Sequence, residues 1–333
     1  MAEAPVAGAA AGRDGRRLPE LGPLGLGAAD VGNLYRAMSD EDAWAVLEAA
    51  WESGVRYFDT APHYGLGLSE RRLGSFLATK PRGDYVVSTK VGRLLRPSPE
   101  TAHLLDDANQ FAVPASLRRV WDFSVDGIRA SLEESLERLG LPEVDVLYLH
   151  DPDEHDLTAD LSTGVPALAA LRDEGLITAI GIGSKSTDAL LAAVRAGALD
   201  LIMVAGRYTL LEQPALDELI PACRAAGVGV VAAAVFNSGL LSKPRPQAGA
   251  RYEYGAVPAE LLERTRRLED VCARHGVALP EAALQFPLRE PAVRCVVVGG
   301  ATPAHVRENA QRLRAEVPEA LWQELATEGL LPR

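Results

Sequence analysis

Cysteine is scarce: the 333 residues hold only Cys223, Cys272 and Cys295, with no CxxC pair. An odd, widely spaced set argues against a disulfide framework or a zinc ribbon and fits a reducing compartment; no metal is expected. Positive charge is short as well, with 34 Lys plus Arg against 46 Asp plus Glu and a formal charge of −12. That balance works against holding the phosphate backbone of a nucleic acid, so no nucleic-acid partner is expected. Long apolar runs are missing. The most apolar stretch, Ala225 to Phe236, falls well short of the roughly 20 residues of a membrane helix and reads as a buried strand. Internal repeats and linker-like shifts of composition are absent too. Residues 1–20 place Glu3 where a secretion signal needs positive charge, and Arg16 and Arg17 lead into Leu18-Pro19-Glu20 rather than an apolar segment. They are expected to be a disordered tail on a cytoplasmic protein, with 21–333 forming a single domain.

What the chain does have is alternation. Short apolar, β-branched runs recur at Leu24 to Leu26, Val55 to Asp59, Tyr85 to Lys90 and Val144 to His150. They continue at Ala179 to Gly183, Leu201 to Val204, Val228 to Ala234 and Cys295 to Val298. Stretches of helical period separate them: Glu41 to Ser53, Ser69 to Ala78, Ser124 to Leu139, Val165 to Glu174, Thr187 to Arg195, Pro214 to Ala226, Ala259 to His275 and Pro303 to Arg314. Ser39, Ser69 and Thr302 stand where helices need N-caps, and Gly54, Gly140, Gly175, Gly197, Gly227 and Gly276 where they need a left-handed residue to end. Eight strand–helix units predict a closed (β/α)8 barrel. An open doubly wound sheet usually carries GxGxxG after its first strand, and Gly25-Leu26-Gly27-Ala28-Ala29-Asp30 lacks the third glycine. Two connections, 91–123 and 237–257, exceed what a minimal barrel needs. Each follows the C-terminal end of a strand, so they are the expected pocket walls.

In this scheme Asp59 closes the second strand, Lys90 the third and His150 the fourth, while Tyr64 lies five residues beyond Asp59. Each alone has a bland explanation in a turn, a solvated surface or a satisfied core. Together, at the ends of three neighbouring barrel strands, they form a candidate catalytic set.

These residues also carry a resemblance. Gly54-Val55-Arg56-Tyr57-Phe58-Asp59-Thr60-Ala61-Pro62-His63-Tyr64-Gly65, with Ser69-Glu70-Arg71-Arg72-Leu73-Gly74, Ser88-Thr89-Lys90-Val91-Gly92 and Asp145 to His150, resembles the motifs of aldo-keto reductases. Trp121 to Ser124, His150 to Asp153, Gly206 to Leu211 and Phe236 to Leu241 are similar to the branch of sugar 1-dehydrogenases acting on L-fucose, D-threo-aldoses or L-galactose, with pyridoxal 4-dehydrogenase a close relative. The resemblance implies a (β/α)8 barrel and hydride transfer between an aldose C1 and a nicotinamide cofactor, giving the aldonolactone. It makes Tyr64 the proton-transfer residue, Lys90 its neighbour, Asp59 the partner of Lys90, and His150 a hydrogen-bond partner of the reacting oxygen. A lysine that favours phenolate would bring tyrosine, with a free pKa near ~10, closer to working pH.

For the cofactor, the resemblance implies Ser184, Asn237, Ser238, Gly239, Leu240, Gly300, Thr302, Glu308 and Asn309. Small residues and a helix N-terminus suit phosphate. NADP-dependent members commonly carry basic residues near the positions of Gly299 and His305; their absence here predicts NAD over NADP, with Arg307 the possible substitute. Lys185 stands where the family usually has an asparagine. Trp121, Phe123, Tyr208 and Tyr252 are candidate sugar-facing aromatics, with simple loop packing the alternative. Two other readings remain open: an NADPH-dependent aldehyde or ketone reductase, pyridoxal included, and a non-catalytic, cofactor-binding regulatory subunit. Which sugar is used, and the oligomeric state, are not legible.

Overall fold

Successive strand residues face opposite sides, and this alternation builds the molecule. In the computed structural model, which describes residues 18–245, 251–253 and 255–332, all eight expected strands form. They run Leu24–Gly27, Tyr57–Asp59, Val86–Val91, Val146–His150, Ala179–Ser184, Leu201–Ala205, Gly229–Ala233 and Val293–Val298. Every neighbouring pair is parallel, and the last strand pairs with the first to close the barrel. Outward positions such as Phe58, Val87, Leu147 and Leu149 pack under the helices. Inward positions form a second core of Tyr57, Val146, Tyr148, Met203, Val231 and Cys295. The inner row at the top then falls to Asp59, two residues after Tyr57; to Lys90, two after Ser88; and to His150, two after Tyr148.

Glycine makes room inside. A Cβ on Gly25 would lie 2.7 Å from the Tyr57 ring, and one on Gly181 would lie 2.6 Å from the Tyr148 ring. The floor is sealed by Leu18 and Leu21, both buried with this inner core. Leu18 thus leaves the expected tail, whose residues 1–17 lie outside those described. The three cysteines are buried free thiols.

The helices follow the expected order with informative departures. Ser39 and Thr302 cap as predicted, accepting from the backbone N–H groups of Asp42 and His305. Ser69 does not: the helix Leu68–Leu77 starts after left-handed Gly67, and the buried Ser69 hydroxyl donates to the Ala28 carbonyl at 2.7 Å. The helix expected at 165–174 begins earlier, spanning Leu157–Asp173 from an Asp156 cap. Gly164 and Pro166 had masked its first two turns. Two short helices, Leu279–Gln285 and Glu319–Thr327, were not expected at all.

The connection 91–123 is not a structureless loop. Arg93–Pro97 pairs antiparallel with Leu117–Trp121, and Leu105–Asp106 with Phe111–Pro114. This double ribbon folds back over the barrel mouth: Tyr35 donates its backbone N–H to Gln110 at 2.7 Å, and Arg119 donates to the His63 carbonyl at 2.7 Å. In the other long connection, Arg251–Tyr252 pairs with Gly255–Ala256. No helix among the described residues is long and apolar enough to cross a membrane.

Candidate active site

The second to fourth strands deliver the four expected residues to one place. Lys90 Nζ donates to Asp59 Oδ2 at 2.6 Å, to the Thr60 carbonyl at 3.0 Å and to Tyr64 Oη at 3.0 Å. The ammonium therefore has three oxygen partners in a fully buried setting, where an unpaired charge would be prohibitive. Asp59 and Tyr64 raise its pKa against the opposing pull of burial. Tyr64 sits on a loop that only glycine permits. Gly65 has φ +62°, and a Cβ there would lie 2.1 Å from the Gly32 carbonyl oxygen.

His150 faces Tyr64 edge-on, with 6.0 Å between ring centroids, and His63 stands 5.6 Å from His150. Burial, with the charges of Arg93 and Lys90 added, holds His150 well below its ordinary range, and burial with the charges of Arg119, Arg93 and Lys90 pushes His63 down to about 2. Both imidazoles are neutral at working pH. Tyr64 departs from expectation: burial raises its pKa, outweighing the Lys90 ammonium that works the other way. The resting phenol is a proton donor.

These groups floor a cavity of about 1070 Å³ at the C-terminal mouth of the barrel. That exceeds the usual ~300–1,000 Å³ of a small-molecule site and suits two ligands side by side. Both long connections contribute walls, including Arg93 and Phe111 from one and Ser238 and Tyr252 from the other.

Residues 23–327 match the Aldo/keto reductase family. The chain belongs to that family. It is 60% identical over 310 residues to D-threo-aldose 1-dehydrogenase from Pseudomonas sp, covering 93% of this chain and 94% of that protein. It is 39% identical over 325 residues to pyridoxal 4-dehydrogenase from Microbacterium luteolum, covering 92% and 94%. Among solved structures, a holo aldo-keto reductase from Bacillus halodurans superposes with a TM-score of 0.73 at 23% identity, covering 96% of this chain and 95% of that one, a likeness of fold.

Much of the motif that signals the aldo/keto reductase family is scaffold. Buried Glu70 accepts from Thr89 and Arg138, and Arg72 donates to the carbonyls of Val31 and Met38. A Cβ on Gly74 would lie 2.0 Å from the Leu139 carbonyl oxygen, so two helices touch there.

The opposite end of the cavity fits a dinucleotide. Asn237, Ser238 and Gly239 line it, as do Gly300, Glu308 and Asn309. Asn237 is buried; its amide donates to Glu212 at 3.4 Å, while its Oδ1 has no partner. An orphaned buried acceptor beside a cavity suits a donor on a bound molecule. Gly300 admits no side chain, because a Cβ there would lie 2.6 Å from Val306. Thr302 caps the helix Pro303–Arg314, leaving Gly300 and Ala301 to border the cavity. Tyr252 lines the wall and donates to Glu212, which ties it to Asn237.

Other expected contacts do not reach the cavity as anticipated. The Leu240 side chain is buried in the core and its N–H is spent on the Asn237 carbonyl, since the tight turn points it inward. Ser184 borders the cavity, but its hydroxyl proton goes to Asp153 at 2.6 Å, leaving only acceptor capacity. Trp121 stacks on Phe123 at 5.8 Å, and Phe123 fills the space over Gly92, so both pack the ribbon rather than face a ligand. Tyr208 lies in the core, 5.4 Å from Phe286. Besides Tyr64, His150 and Tyr252, the aromatic rings that border the cavity include Tyr35, His63, Phe111 and Phe236. Of these, His63 was adjacent to the motif tyrosine and legible as a candidate; Phe111 was hidden in an unassigned hairpin.

Proposed function

We propose that this chain is an NAD-preferring aldose 1-dehydrogenase that oxidises C1 of a sugar to the aldonolactone. The observation that carries the reading is the 3.0 Å contact of Tyr64 Oη with a lysine ammonium that Asp59 holds at 2.6 Å, at the floor of the cavity. Similarity to a D-threo-aldose 1-dehydrogenase over nearly the whole chain supports the substrate class.

In its deprotonated, phenolate form Tyr64 takes the proton of the C1 hydroxyl as C1 gives up its hydride and the C1–O bond becomes a carbonyl. Bound nicotinamide supplies the hydride acceptor. Lys90 steadies the negative charge that the Tyr64 oxygen carries before it takes the proton, and Asp59 keeps the ammonium charged and placed. Neutral His150 holds the reacting oxygen by a hydrogen bond. Asn237, Ser238, Gly239 and Gly300, with the helix capped by Thr302, bind the dinucleotide, and Glu308 and Asn309 take its adenine end.

Preference for NAD is supported by charge. Gly299 and His305 offer no fixed cation, and Arg307 pairs with Glu52 at 3.3 Å. Asp30 brings a carboxylate oxygen to 2.5 Å from where a Gly299 side chain would begin. An extra phosphate meets that carboxylate unfavourably. Comparing kcat/KM for the two cofactors tests this; a tenfold or larger advantage for NADP would refute it.

The raised Tyr64 pKa favours a second direction, proton donation to an aldehyde or ketone, pyridoxal included. Assays with L-fucose, L-galactose, D-arabinose and pyridoxal, run both ways, separate the two. Cofactor binding without turnover on the whole panel would instead support a regulatory subunit, against which the intact set of four counts. The buried, unpaired thiols support a reducing, cytoplasmic location.

A further inference from the structure

The cavity wall beside His150 holds a charged pair that hydride chemistry does not use. Arg93 is buried, and its Nη2 donates to Asp151 Oδ2 at 2.5 Å and to Glu154 Oε2 at 3.0 Å. The guanidinium carbon lies 4.3 Å from the centroid of the Trp121 ring, so the fork is held in place from behind. Asp151 follows His150 directly, in a left-handed conformation with φ +46°, and its Oδ2 lies 3.4 Å from His150 Nε2. A non-glycine residue held there is strained, a state that persists only where the surroundings enforce it. Arg93, Asp151 and His63 all border the cavity.

The pair is a poor stabilising device. Taking the buried Arg93 and the partly buried Asp151 out of water is costly, and good geometry does little more than offset that cost. Three buried nitrogens of residues that border the cavity, Arg93 Nε, His63 Nδ1 and His150 Nδ1, also lack partners within the protein. Such a wall makes sense when something with both donors and acceptors arrives. A vicinal diol is that kind of group: each hydroxyl donates once and accepts, so a carboxylate takes its protons while a guanidinium or imidazole donates to its oxygens.

We propose that Arg93 and Asp151, with His63, form a subsite that reads the hydroxyls on the two carbons next to C1 and so selects the threo over the erythro arrangement. The inference rests on the aldose reading above. Proximity decides which carbons: Asp151 touches His150, which holds the C1 oxygen, so the next hydroxyls along the sugar are the ones in reach. The carboxylate and guanidinium stand side by side in fixed order. Inverting C2 therefore turns one hydroxyl away from its partner and leaves a buried polar group unpaired, the situation that gives hydroxyl-reading sites their strong discrimination.

The test uses D-arabinose, its C2 epimer D-ribose, and benzaldehyde, which has no hydroxyl to read. Wild type, Asp151→Asn, Arg93→Gln and Arg93→Lys are assayed for sugar oxidation with NAD and benzaldehyde reduction with NADH. In Asp151→Asn and Arg93→Gln, kcat/KM for D-arabinose is expected to fall by about 100-fold, and the preference over D-ribose to shrink to less than about threefold. The loss on benzaldehyde should be smaller by roughly tenfold or more. Arg93→Lys keeps the charge without the fork, so it should fold and still lose the preference, which covers the case of a neutral variant that does not fold. Equal losses on sugar and benzaldehyde, or an epimer preference that survives, would overturn the subsite while leaving the aldose reading intact. A wild type that oxidises no aldose would overturn that reading, and the subsite with it.

Discussion

Two tyrosine clusters occupy the barrel interior, one above the other, and only one is equipped for chemistry. In the lower, Tyr57 Oη lies 2.9 Å from Ser88 Oγ and 3.3 Å from Tyr148 Oη. In the upper, Tyr64 meets Lys90. The two are joined, since Ser88 donates to Asp59 Oδ1 at 2.7 Å and Asp59 pairs with Lys90. Burial raises the pKa of the phenols in both clusters. The difference is the neighbour. The lower phenols meet only neutral hydroxyls and are sealed by Leu18 and Leu21, whereas Tyr64 has an ammonium at 3.0 Å and a cavity above it. A tyrosine becomes a proton-transfer group through a stabilised oxyanion and an opening, not through burial or hydrogen bonding alone.

The contrast is broken most forcefully by removing the upper hydroxyl. Tyr64→Phe should lower kcat by about 10³-fold with cofactor affinity retained, read by fluorescence titration; near-normal turnover would mean the wrong tyrosine was chosen. Next comes Lys90→Met, which strands Asp59 in the interior. It should cost about 3–5 kcal/mol in denaturant unfolding as well as turnover, and a variant of wild-type stability would show that the carboxylate finds another partner. Tyr57→Phe probes the lower cluster. It leaves Tyr148 short of a partner and should cost about 1–3 kcal/mol while turnover falls far less than in Tyr64→Phe. Comparable kinetic loss in both would erase the distinction.

The pH profile sharpens the comparison. Since burial holds Tyr64 above its ordinary ~10, the basic form that oxidation needs keeps growing through pH 10, so kcat for oxidation should still climb there while reduction stays level. His150, held well below its ordinary range, should leave no inflection near 6.5; one that vanished in His150→Asn would contradict its neutrality. The smallest effect is expected from Thr302→Ala. Loss of the cap should cost about 1 kcal/mol in unfolding, with a modest rise in KM for the cofactor.

The strands were legible because a parallel barrel buries both of their faces, leaving β-branched runs that stand out from the polar turns around them. Asp59, Lys90 and His150 were legible for the same reason, as polar residues ending apolar runs. The ribbon within 91–123 was not. Its strands are short, and their pairing depends on contacts far away, such as Arg119 with the His63 carbonyl and Tyr35 with Gln110. Of the two readings open for Trp121 and Phe123, facing a sugar or packing a loop, the structure shows the second, and Phe111 was passed over. Ser69 misled because a hydroxyl before an acidic residue looks like a cap, whereas here the preceding left-handed Gly67 starts the helix one residue sooner. Arg93 and Asp151 are 58 positions apart and carry no local signal that they meet.

By itself the sequence determined the period of the strands, the ends of most helices, the closure into eight units and the order in which polar groups reach the mouth. These follow from local rules: alternation, caps and the steric freedom of glycine. Only the tertiary structure decided which phenol meets an ammonium, which aromatic faces the cavity and which charges pair across its wall. Those outcomes depend on distances between segments remote along the chain, and on the loss of water that makes a buried charge or an unpaired nitrogen costly.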